Sequence, residues 1–319
     1  MKIFITGAAG FIGSNFVRQI LKNSDDEVTV FDLLTYAGNK STIADLEENP
    51  RFNFVHGDIC DQFLVTETMK THTAVVHFAA ESHVDRSIHE PDVFVKTNCV
   101  GTNTLCKAAQ ELEVERFIHI STDEVYGSVT QGSSSETDPL APRSPYSASK
   151  AGSDLIALSY YTTYDLPVVI VRSTNNYGPF QFPEKIIPLF TTNLLNNIQV
   201  PLYGDGEHIR DWCHVTDNCS AIETVLRSGQ IGEIYNVGAG NEVTNLFLTQ
   251  MLLELTGQNE TMIKFVDDRA GHDRRYSVNT KKIRDLGWSP KLLLEEGLSQ
   301  TVKWYADNQI WWEKLKRNS

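Results

Sequence analysis

Short apolar segments alternate with longer amphipathic ones through the first half of the chain. Six of the short segments are nearly continuously hydrophobic and rich in β-branched side chains, namely residues 2–6, 28–32, 53–56, 74–78, 116–121 and 168–172. That pattern is typical of strands covered on both faces. Between them, residues 11–22, 92–113 and 145–164 have the apolar spacing of helices. The alternation predicts an α/β fold built on a Rossmann-type, doubly wound parallel sheet.

The regular alternation ends after residue 172. Prolines and short elements follow, and later helices are predicted at residues 217–227, 244–256 and 294–315. We therefore predict a Rossmann domain over residues 1–172 and a smaller C-terminal α/β domain over residues 173–319. The boundary is soft, because residues 234–237 have the pattern of one more buried strand that could rejoin the sheet.

Charge and cysteine content narrow the classes of partner and compartment. The 319 residues include 28 Lys and Arg against 41 Asp and Glu, a net charge of −13, so we expect neither nucleic acid nor a membrane surface as partner. The five cysteines are odd in number and form no C-x-x-C pair, which favours a reducing, cytoplasmic compartment. No apolar run reaches the roughly 18 residues of a transmembrane helix. Residues 1–5 are interpreted as a strand rather than a signal peptide.

A glycine-rich turn follows the first predicted strand. Gly7, Gly10 and Gly13 have the spacing G-x-x-G-x-x-G and open the first helix, where a pyrophosphate can approach free backbone N–H groups. A purely structural turn is the alternative. Asp32 ends the second strand 19 residues after Gly13, where a carboxylate accepts from the ribose hydroxyls of NAD and repels the extra phosphate of NADP. Asp58, after the third strand, is a candidate partner for the adenine amino group.

A tyrosine and a lysine share one face of the long helix at residues 145–164. Tyr146 and Lys150 are four residues apart, so the ammonium can stabilise a phenolate that acts as a base. Tyr36 and Lys40 have the same spacing, but no Ser-Thr strand end accompanies them. The spacing alone is therefore weak evidence for a catalytic Tyr-Lys pair. It becomes informative only where other active-site motifs accompany it.

Polar residues follow the fifth predicted strand, at the sheet edge where ligands of parallel α/β folds bind. Thr122 can hold the substrate oxygen that Tyr146 deprotonates, and Asp123 and Glu124 bring two adjacent carboxylates to the same edge. Adjacent carboxylates split their pKa values, so that one serves as acid and the other as base. A helix N-cap followed by first-turn acids is the alternative interpretation.

Together these motifs resemble the extended short-chain dehydrogenases/reductases and, within them, the dTDP-glucose 4,6-dehydratase family. The matching segments are residues 6–13, 34–39 (LTYAGN), 79–87 (AAESHVDRS), 121–127 (STDEVYG), 146–150, 172–183 (RSTNNYGPFQFP), 204–212 (GDGEHIRDW) and 271–276 (GHDRRY). The resemblance implies that NAD is the cofactor. It also implies that residues 1–172 bind NAD and residues 173–319 bind the nucleotide sugar. The cofactor residues that it adds to those above are Phe11, Ile12, Ile59, Ala79 and Ala80.

The resemblance further implies a lyase reaction without net oxidation. Tyr146, with Lys150 and Thr122, would deprotonate the C4 hydroxyl of dTDP-glucose as C4 is oxidised. Glu124 would then take the C5 proton while Asp123 protonates the departing C6 hydroxyl, and C6 is finally reduced to give the 4-keto-6-deoxy sugar. Another nucleotide-sugar 4,6-dehydratase or an epimerase acting on UDP- or GDP-sugars is the alternative enzyme. A non-catalytic NAD-binding regulator is the alternative class.

An anionic diphosphate substrate needs local cations in so acidic a protein. The residues that the resemblance assigns to the dTDP-sugar are Ser82, Thr122, Asn175, Asn176, Lys185, Arg210, Asn236 and Arg274, with Arg275 as a weaker candidate. None of the nine histidines has metal-site spacing, so no metal is predicted. In related enzymes helices equivalent to residues 92–113 and 145–164 pair between subunits. This implies a homodimer with Leu155, Leu158 and Tyr161 on or near the seam, unless those side chains belong to the core.

Overall fold

The central sheet has seven parallel strands. The chain starts at an inner strand, fills the sheet to one edge, and then crosses back to fill it to the other edge. A computed structural model describes residues 1–318. Its strands are β1 (Lys2–Thr6), β2 (Glu27–Asp32), β3 (Phe52–His56), β4 (Ala74–His77), β5 (Arg116–Thr122), β6 (Val168–Ser173), β7 (Asn175–Tyr177), β8 (Val200–Tyr203), β9 (Ile209–His214), β10 (Ile234–Val237), β11 (Glu242–Thr244) and β12 (Ile263–Val266). The sheet order is β10-β6-β5-β4-β1-β2-β3. The predicted doubly wound α/β fold is therefore confirmed.

Helices cover both faces of this sheet. The α-helices of the whole described chain are α1 (Phe11–Asn23), α2 (Gln62–Met69), α3 (Val84–His89), α4 (Pro91–Phe94), α5 (Thr102–Glu111), α6 (Pro145–Tyr164), α7 (Ile186–Leu195), α8 (Val215–Ser228), α9 (Asn245–Leu255), α10 (Lys281–Asp285), α11 (Leu294–Asp307) and α12 (Gln309–Asn318). Helices α1 and α8 pack on one face, and α2, α5 and α6 on the other. Both faces of the central strands are thus buried, which explains their continuous hydrophobicity.

The chain returns to the main sheet after leaving it. Strand β10 pairs in parallel with β6, with Ile234 opposite Ile170, so residues 234–237 do rejoin the sheet. Helix α8 also comes from beyond residue 172 and packs beside α1. Residues after 172 thus contribute to both parts of the fold, and the predicted domain boundary stays a prediction.

Two predicted helices differ from a regular α-helix. In residues 92–113 the backbone stays helical, but the turns at Val95–Gly101, between α4 and α5, are π-helical. Asn98 in these turns hydrogen-bonds both backbone groups of Glu81 and donates to the Ser149 hydroxyl. Residues 294–315 divide into α11 and α12 at Asn308, whose φ of −118° and ψ of 37° leave the helical region.

The smaller part packs around its own apolar cluster. Strands β7, β9 and β11 form one sheet and β8 and β12 another, and both lie with α7, α9 and α11 around Tyr177, Phe190 and Leu298. This part stands over the carboxyl ends of the central strands, so a crevice forms there. Within residues 1–318, no helix combines the length and apolar content needed to cross a bilayer.

Candidate active site

The glycine turn between β1 and α1 brings the backbone unusually close to neighbouring elements. Gly7 has a φ of +73°, and a Cβ at that position would overlap the backbone of Ala79 at the end of β4. A Cβ at Gly13 would lie 2.7 Å from the Cα atom of Ala8. Helix α1 begins after Gly10 without a side-chain cap, so its first N–H groups remain available. An anionic pyrophosphate fits this helix N-terminus.

Asp32 is held by the same turn. Its two carboxylate oxygens accept from the backbone N–H groups of Ala9, at 2.9 Å, and Leu34, at 2.8 Å. Burial raises the pKa of Asp32, and these two hydrogen bonds oppose that rise. Each oxygen keeps a further lone pair for a ligand hydroxyl, which is the arrangement that the ribose of NAD requires.

One cavity of about 260 Å³ brings together all the residues predicted to bind the cofactor. They are Gly7, Gly10, Phe11, Ile12, Gly13, Asp32, Asp58, Ile59, Ala79, Ala80, Tyr146 and Lys150. Thr97, which lies in the π-helical turns and was not predicted, also lines this cavity. The cavity, the free helix N-terminus and Asp32 together fit an extended dinucleotide.

A second cavity of about 330 Å³ continues from the first. Tyr146, Ser121 and Lys185 line both, so a ligand in one cavity reaches a ligand in the other. Of the residues predicted to bind substrate, this second cavity collects Ser82, Thr122, Asn175, Asn176, Lys185 and Arg210, together with the predicted catalytic residues Asp123, Glu124 and Tyr146.

The acidic pair lies where β5 ends. Thr122 caps the 3₁₀ turn Asp123–Tyr126 by accepting from the N–H of Glu124, so the capping interpretation is also correct. The Thr122 hydroxyl donates to Asp123 Oδ1 at 3.3 Å, while Oδ2 is buried with no protein hydrogen-bond partner among residues 1–318. Burial and the neighbouring Glu124 raise the pKa of Asp123 well above its ordinary value. Burial also raises the pKa of Glu124, against the pull of Lys185.

Helix α6 presents Tyr146 and Lys150 to the same place. A reciprocal capping box between Ser144 and Ser147 fixes its first turn. Burial and the nearby Glu124 raise the pKa of Tyr146, and a hydrogen bond with Thr122 opposes the rise. Lys150 donates to the Ile120 carbonyl at 2.6 Å, and burial lowers its pKa to about 8. At neutral pH the ammonium is therefore charged beside the phenol.

Two cations, the buried Arg210 and the partly buried Lys185, face the acidic pair. Arg210 is 5% exposed, donates to the Asp273 carbonyl at 2.8 Å, and stacks over the Tyr276 ring at 4.3 Å. Lys185 donates to the Ser82 carbonyl at 2.8 Å. Burial lowers the pKa of both groups, and Glu124 opposes that effect in each case. Their positive charge is the complement that a diphosphate would need in this acidic chain.

Asn236 and Arg274 line neither cavity, and their predicted contacts with substrate stay a prediction. Asn236 is fully buried at the end of β10, where it accepts from the Tyr126 hydroxyl and donates to the Ser134 carbonyl. Arg274 is half exposed and forms two hydrogen bonds with Asp205. Both side chains are hydrogen-bonded to protein partners. Arg275 is likewise paired, with Glu242.

Several residues of the second cavity were not predicted, among them the polar or aromatic Asn245, Arg269, His272 and Tyr276. Two of them, His272 and Tyr276, lie inside the GHDRRY segment already singled out, but the sequence does not show which of its side chains turn inward. Asn245 begins α9, and its buried Oδ1 has no protein partner among the described residues. His208, Asp268 and His272 place ligand atoms within 4.8 Å of one another, and the prediction of no metal stays a prediction.

Comparison with known proteins agrees with this geometry. A family model described as GDP-mannose 4,6 dehydratase matches residues 4–301. The chain belongs to this family. Among curated members, a dTDP-glucose 4,6-dehydratase of Streptomyces niveus is 52% identical, over 99% of this chain and 96% of that protein.

Solved structures of family members superpose closely. DesIV, a dTDP-glucose 4,6-dehydratase of Streptomyces venezuelae crystallised as a double mutant with NAD and DAU bound, is 51% identical. It has a TM-score of 0.97 and covers 99% of this chain and 100% of that chain. The Bacillus anthracis dTDP-glucose 4,6-dehydratase in complex with NAD is 45% identical, with a TM-score of 0.93 and 99% coverage of both chains. The resemblance inferred from the sequence is confirmed.

Proposed function

We propose that this chain is an NAD-dependent dTDP-glucose 4,6-dehydratase that forms dTDP-4-keto-6-deoxyglucose. The observation that carries the proposal is the meeting of Asp123, Glu124 and Tyr146 in one cavity that continues into the glycine-lined cofactor cavity. The family includes proteins named for GDP-mannose and for dTDP-glucose, and the curated relative that is 52% identical acts on dTDP-glucose by its name.

Bound NAD would supply the hydride acceptor for C4 and, later in the cycle, the hydride donor for C6. Gly7–Gly13 and the N-terminus of α1 would hold the pyrophosphate, and Asp32 would hold the adenosine ribose. A carboxylate at this place disfavours the extra phosphate of NADP by charge repulsion. Asp32 therefore favours NAD as the working cofactor.

Tyr146 would act first, as the base for the C4 hydroxyl. Its buried phenol resists ionisation, so the charged Lys150 one helical turn away and the Thr122 hydroxyl are both needed to favour the phenolate. Thr122 lines the second cavity and would also orient the substrate oxygen. The sugar must sit where the two cavities meet, because Tyr146 lines both.

The acidic pair would then remove water across C5 and C6. The new 4-keto group acidifies the C5 proton, and Glu124 would take it. Asp123, whose pKa is raised the more strongly of the two, keeps a proton to give to the departing C6 hydroxyl. An epimerase has no step that needs such an acid and base for water elimination, so this pair favours a dehydratase.

The substrate assay tests the proposal and its alternatives together. Purified protein supplied with NAD should form a 4-keto product from dTDP-glucose in preference to UDP-glucose and GDP-mannose, and should work poorly with NADP. If product formed only from UDP-glucose or GDP-mannose, the enzyme would be a dehydratase or epimerase for that sugar nucleotide instead. Tight NAD binding with no turnover of any sugar would favour the non-catalytic alternative.

We also infer a homodimer formed through the helices that include α5 and α6. Val95, Val100 and Leu155 are each at least half exposed on these helices, an apolar surface that a partner subunit would cover. Tyr161 is 37% exposed, whereas Leu158 packs partly against the core. A Leu155→Glu variant should therefore shift the mass measured by light scattering at micromolar concentration from dimer towards monomer.

A charge on a face that stays exposed provides the control for that measurement. Ile310→Glu changes another exposed apolar side chain, on α12, which packs against α11 of the smaller part, and should leave the dimer intact. A monomeric parent protein would contradict the inference directly.

We place the enzyme in the cytoplasm, in keeping with its five unpaired cysteines.

A further inference from the structure

The loop that follows β2 lines the cofactor cavity, and hydrogen bonds hold it at both ends. At its start, Asp32 accepts from the N–H of Leu34, and further along the N–H of Asn39 donates to the Ala9 carbonyl at 3.0 Å. Gly38 lies so close to Asp32 that a Cβ there would be 2.7 Å from the Asp32 Oδ1 atom. This loop is the LTYAGN segment, and its tyrosine has no role in the chemistry proposed above.

Tyr36 joins the loop to two other parts of the chain. Its hydroxyl donates to Glu184 Oε1 at 3.1 Å, and its ring meets Phe182 edge-on with 5.6 Å between ring centroids. The Arg86 guanidinium, from helix α3, lies 3.8 Å from the Tyr36 ring centroid. The loop after β2, helix α3 and the segment before α7 therefore converge on one side chain.

This junction belongs to the wall of the cofactor cavity. Tyr36, Phe182 and Glu184 all line it, and Glu184 and Lys185 also line the second cavity. Glu184 is next in sequence to Lys185, one of the two cations proposed for the diphosphate. A bond from Tyr36 to Glu184 thus ties the cofactor loop directly to the segment that holds substrate.

The charges around the junction favour this hydrogen bond at neutral pH. Burial and the carboxylates of Glu184 and Glu81 raise the pKa of Tyr36, so its hydroxyl stays a donor. Burial raises the pKa of Glu184 and the Lys185 ammonium opposes the rise. His83 Nε2, on the other side, lies 3.7 Å from Glu184 Oε2. Hydrogen bonds to charged acceptors are stronger than neutral ones.

We propose that Tyr36 is a positioning residue that closes the loop of residues 33–39 over the bound dinucleotide through Glu184. The inference rests on the proposed use of NAD. A reaction that oxidises C4 and reduces C6 in one cycle needs the same cofactor molecule at both steps. Release of the reduced cofactor between the two steps would leave the keto sugar unreduced at C6. The Tyr36–Glu184 bond slows that release and links it to the segment that carries Lys185.

The test measures release of the cofactor rather than turnover. Protein loaded with NADH is mixed with excess NAD, and loss of the bound-NADH fluorescence gives the dissociation rate. Tyr36→Phe should release NADH about tenfold faster, the factor that corresponds to one lost hydrogen bond to a charged acceptor. Glu184→Leu should do the same, and the double variant should be no faster than either single one.

Two further variants separate the bond from general destabilisation. Glu184→Gln keeps an acceptor oxygen and should release NADH more slowly than Glu184→Leu. Tyr235→Phe removes a buried hydroxyl that accepts from the Gln230 N–H outside both cavities, and should release NADH at the parent rate. This pattern would support a bond that acts on the cofactor.

Parent-like release from both Tyr36→Phe and Glu184→Leu would overturn the inference and leave NAD use intact. Additive effects in the double variant would also overturn it, because the two residues would then act separately. A parent protein that binds neither NAD nor NADH would overturn the proposed function itself, and this inference with it.

Discussion

Tyr146→Phe is expected to abolish the first chemical step. The variant keeps the ring in its buried site within the capped first turn, but it has no phenolate oxygen to accept the proton of the C4 hydroxyl. General bases contribute about 10²–10⁴-fold to such steps. On addition of dTDP-glucose, absorbance at the reduced-nicotinamide band should not rise, and no keto product should form.

A second tyrosine provides a matched control. Tyr177 is fully buried, lines neither cavity, and its hydroxyl has no protein hydrogen-bond partner among residues 1–318. Tyr177→Phe should therefore keep parent turnover. If Tyr146→Phe formed reduced nicotinamide at the parent rate, another group would have to deprotonate the C4 hydroxyl. Tyr146 would then lose its assigned role.

Hydrophobic pattern predicted the sheet well because burial on both faces leaves a strong mark in sequence. Strand β1 and helix α6 have the bounds expected, and the capped start of α6 fixes where Tyr146 and Lys150 stand. Part of the cofactor cavity was accessible in the same way, since the turn after β1 needs glycine at Gly7 and Gly13. The apolar residues of that cavity were implied by the family resemblance. Sequence is most informative where one residue type is required by geometry.

The sequence did not predict which side chains face the substrate cavity and which face the protein interior or solvent. Asn236 and Asn245 are both asparagines at element ends, yet only Asn245 lines the substrate cavity, because strand β10 carries Asn236 into contact with Tyr126. Among neighbours in one extended segment, Arg274 points to solvent while Tyr276 is buried. Which face meets the cavity depends on how two distant segments pack, and no local pattern records that.

The π-helical turns show a different limit. Within them, the Asn98 side chain hydrogen-bonds both backbone groups of Glu81 in the loop that follows β4. A polar residue on a predicted helix looks like any surface position, so the sequence indicated a regular helix. The structure instead shows that this residue fixes the AAESHVDRS loop against α6, and that Thr97 beside it lines the cofactor cavity.

Asp123→Asn is expected to separate water elimination from C4 oxidation. The amide keeps the size of the side chain and can still accept from Thr122, but it cannot give a proton to the departing C6 hydroxyl. Overall dehydration should fall by about 10²–10⁴-fold. Because Tyr146 and Lys150 are untouched, C4 oxidation should continue, and reduced-nicotinamide absorbance should accumulate after dTDP-glucose is added.

Proton exchange at C5 then distinguishes the two acids. Glu124→Gln should show the same accumulation but should also slow exchange of the C5 proton with solvent deuterium, whereas Asp123→Asn should leave that exchange in place. In the parent protein, elimination should weaken as pH rises through the raised pKa of Asp123, because only the protonated carboxyl can act as acid.

A buried aspartate outside both cavities controls for the replacement of a buried carboxyl group by an amide. Asp217 accepts from the N–H groups of Lys291 and Leu292, and Asp217→Asn should lower thermal stability without trapping reduced nicotinamide. Parent turnover by Asp123→Asn would remove its role as acid and leave the pair as the first turn that Thr122 caps. Absence of reduced nicotinamide in Asp123→Asn, as in Tyr146→Phe, would instead show that oxidation and elimination are not divided between these residues.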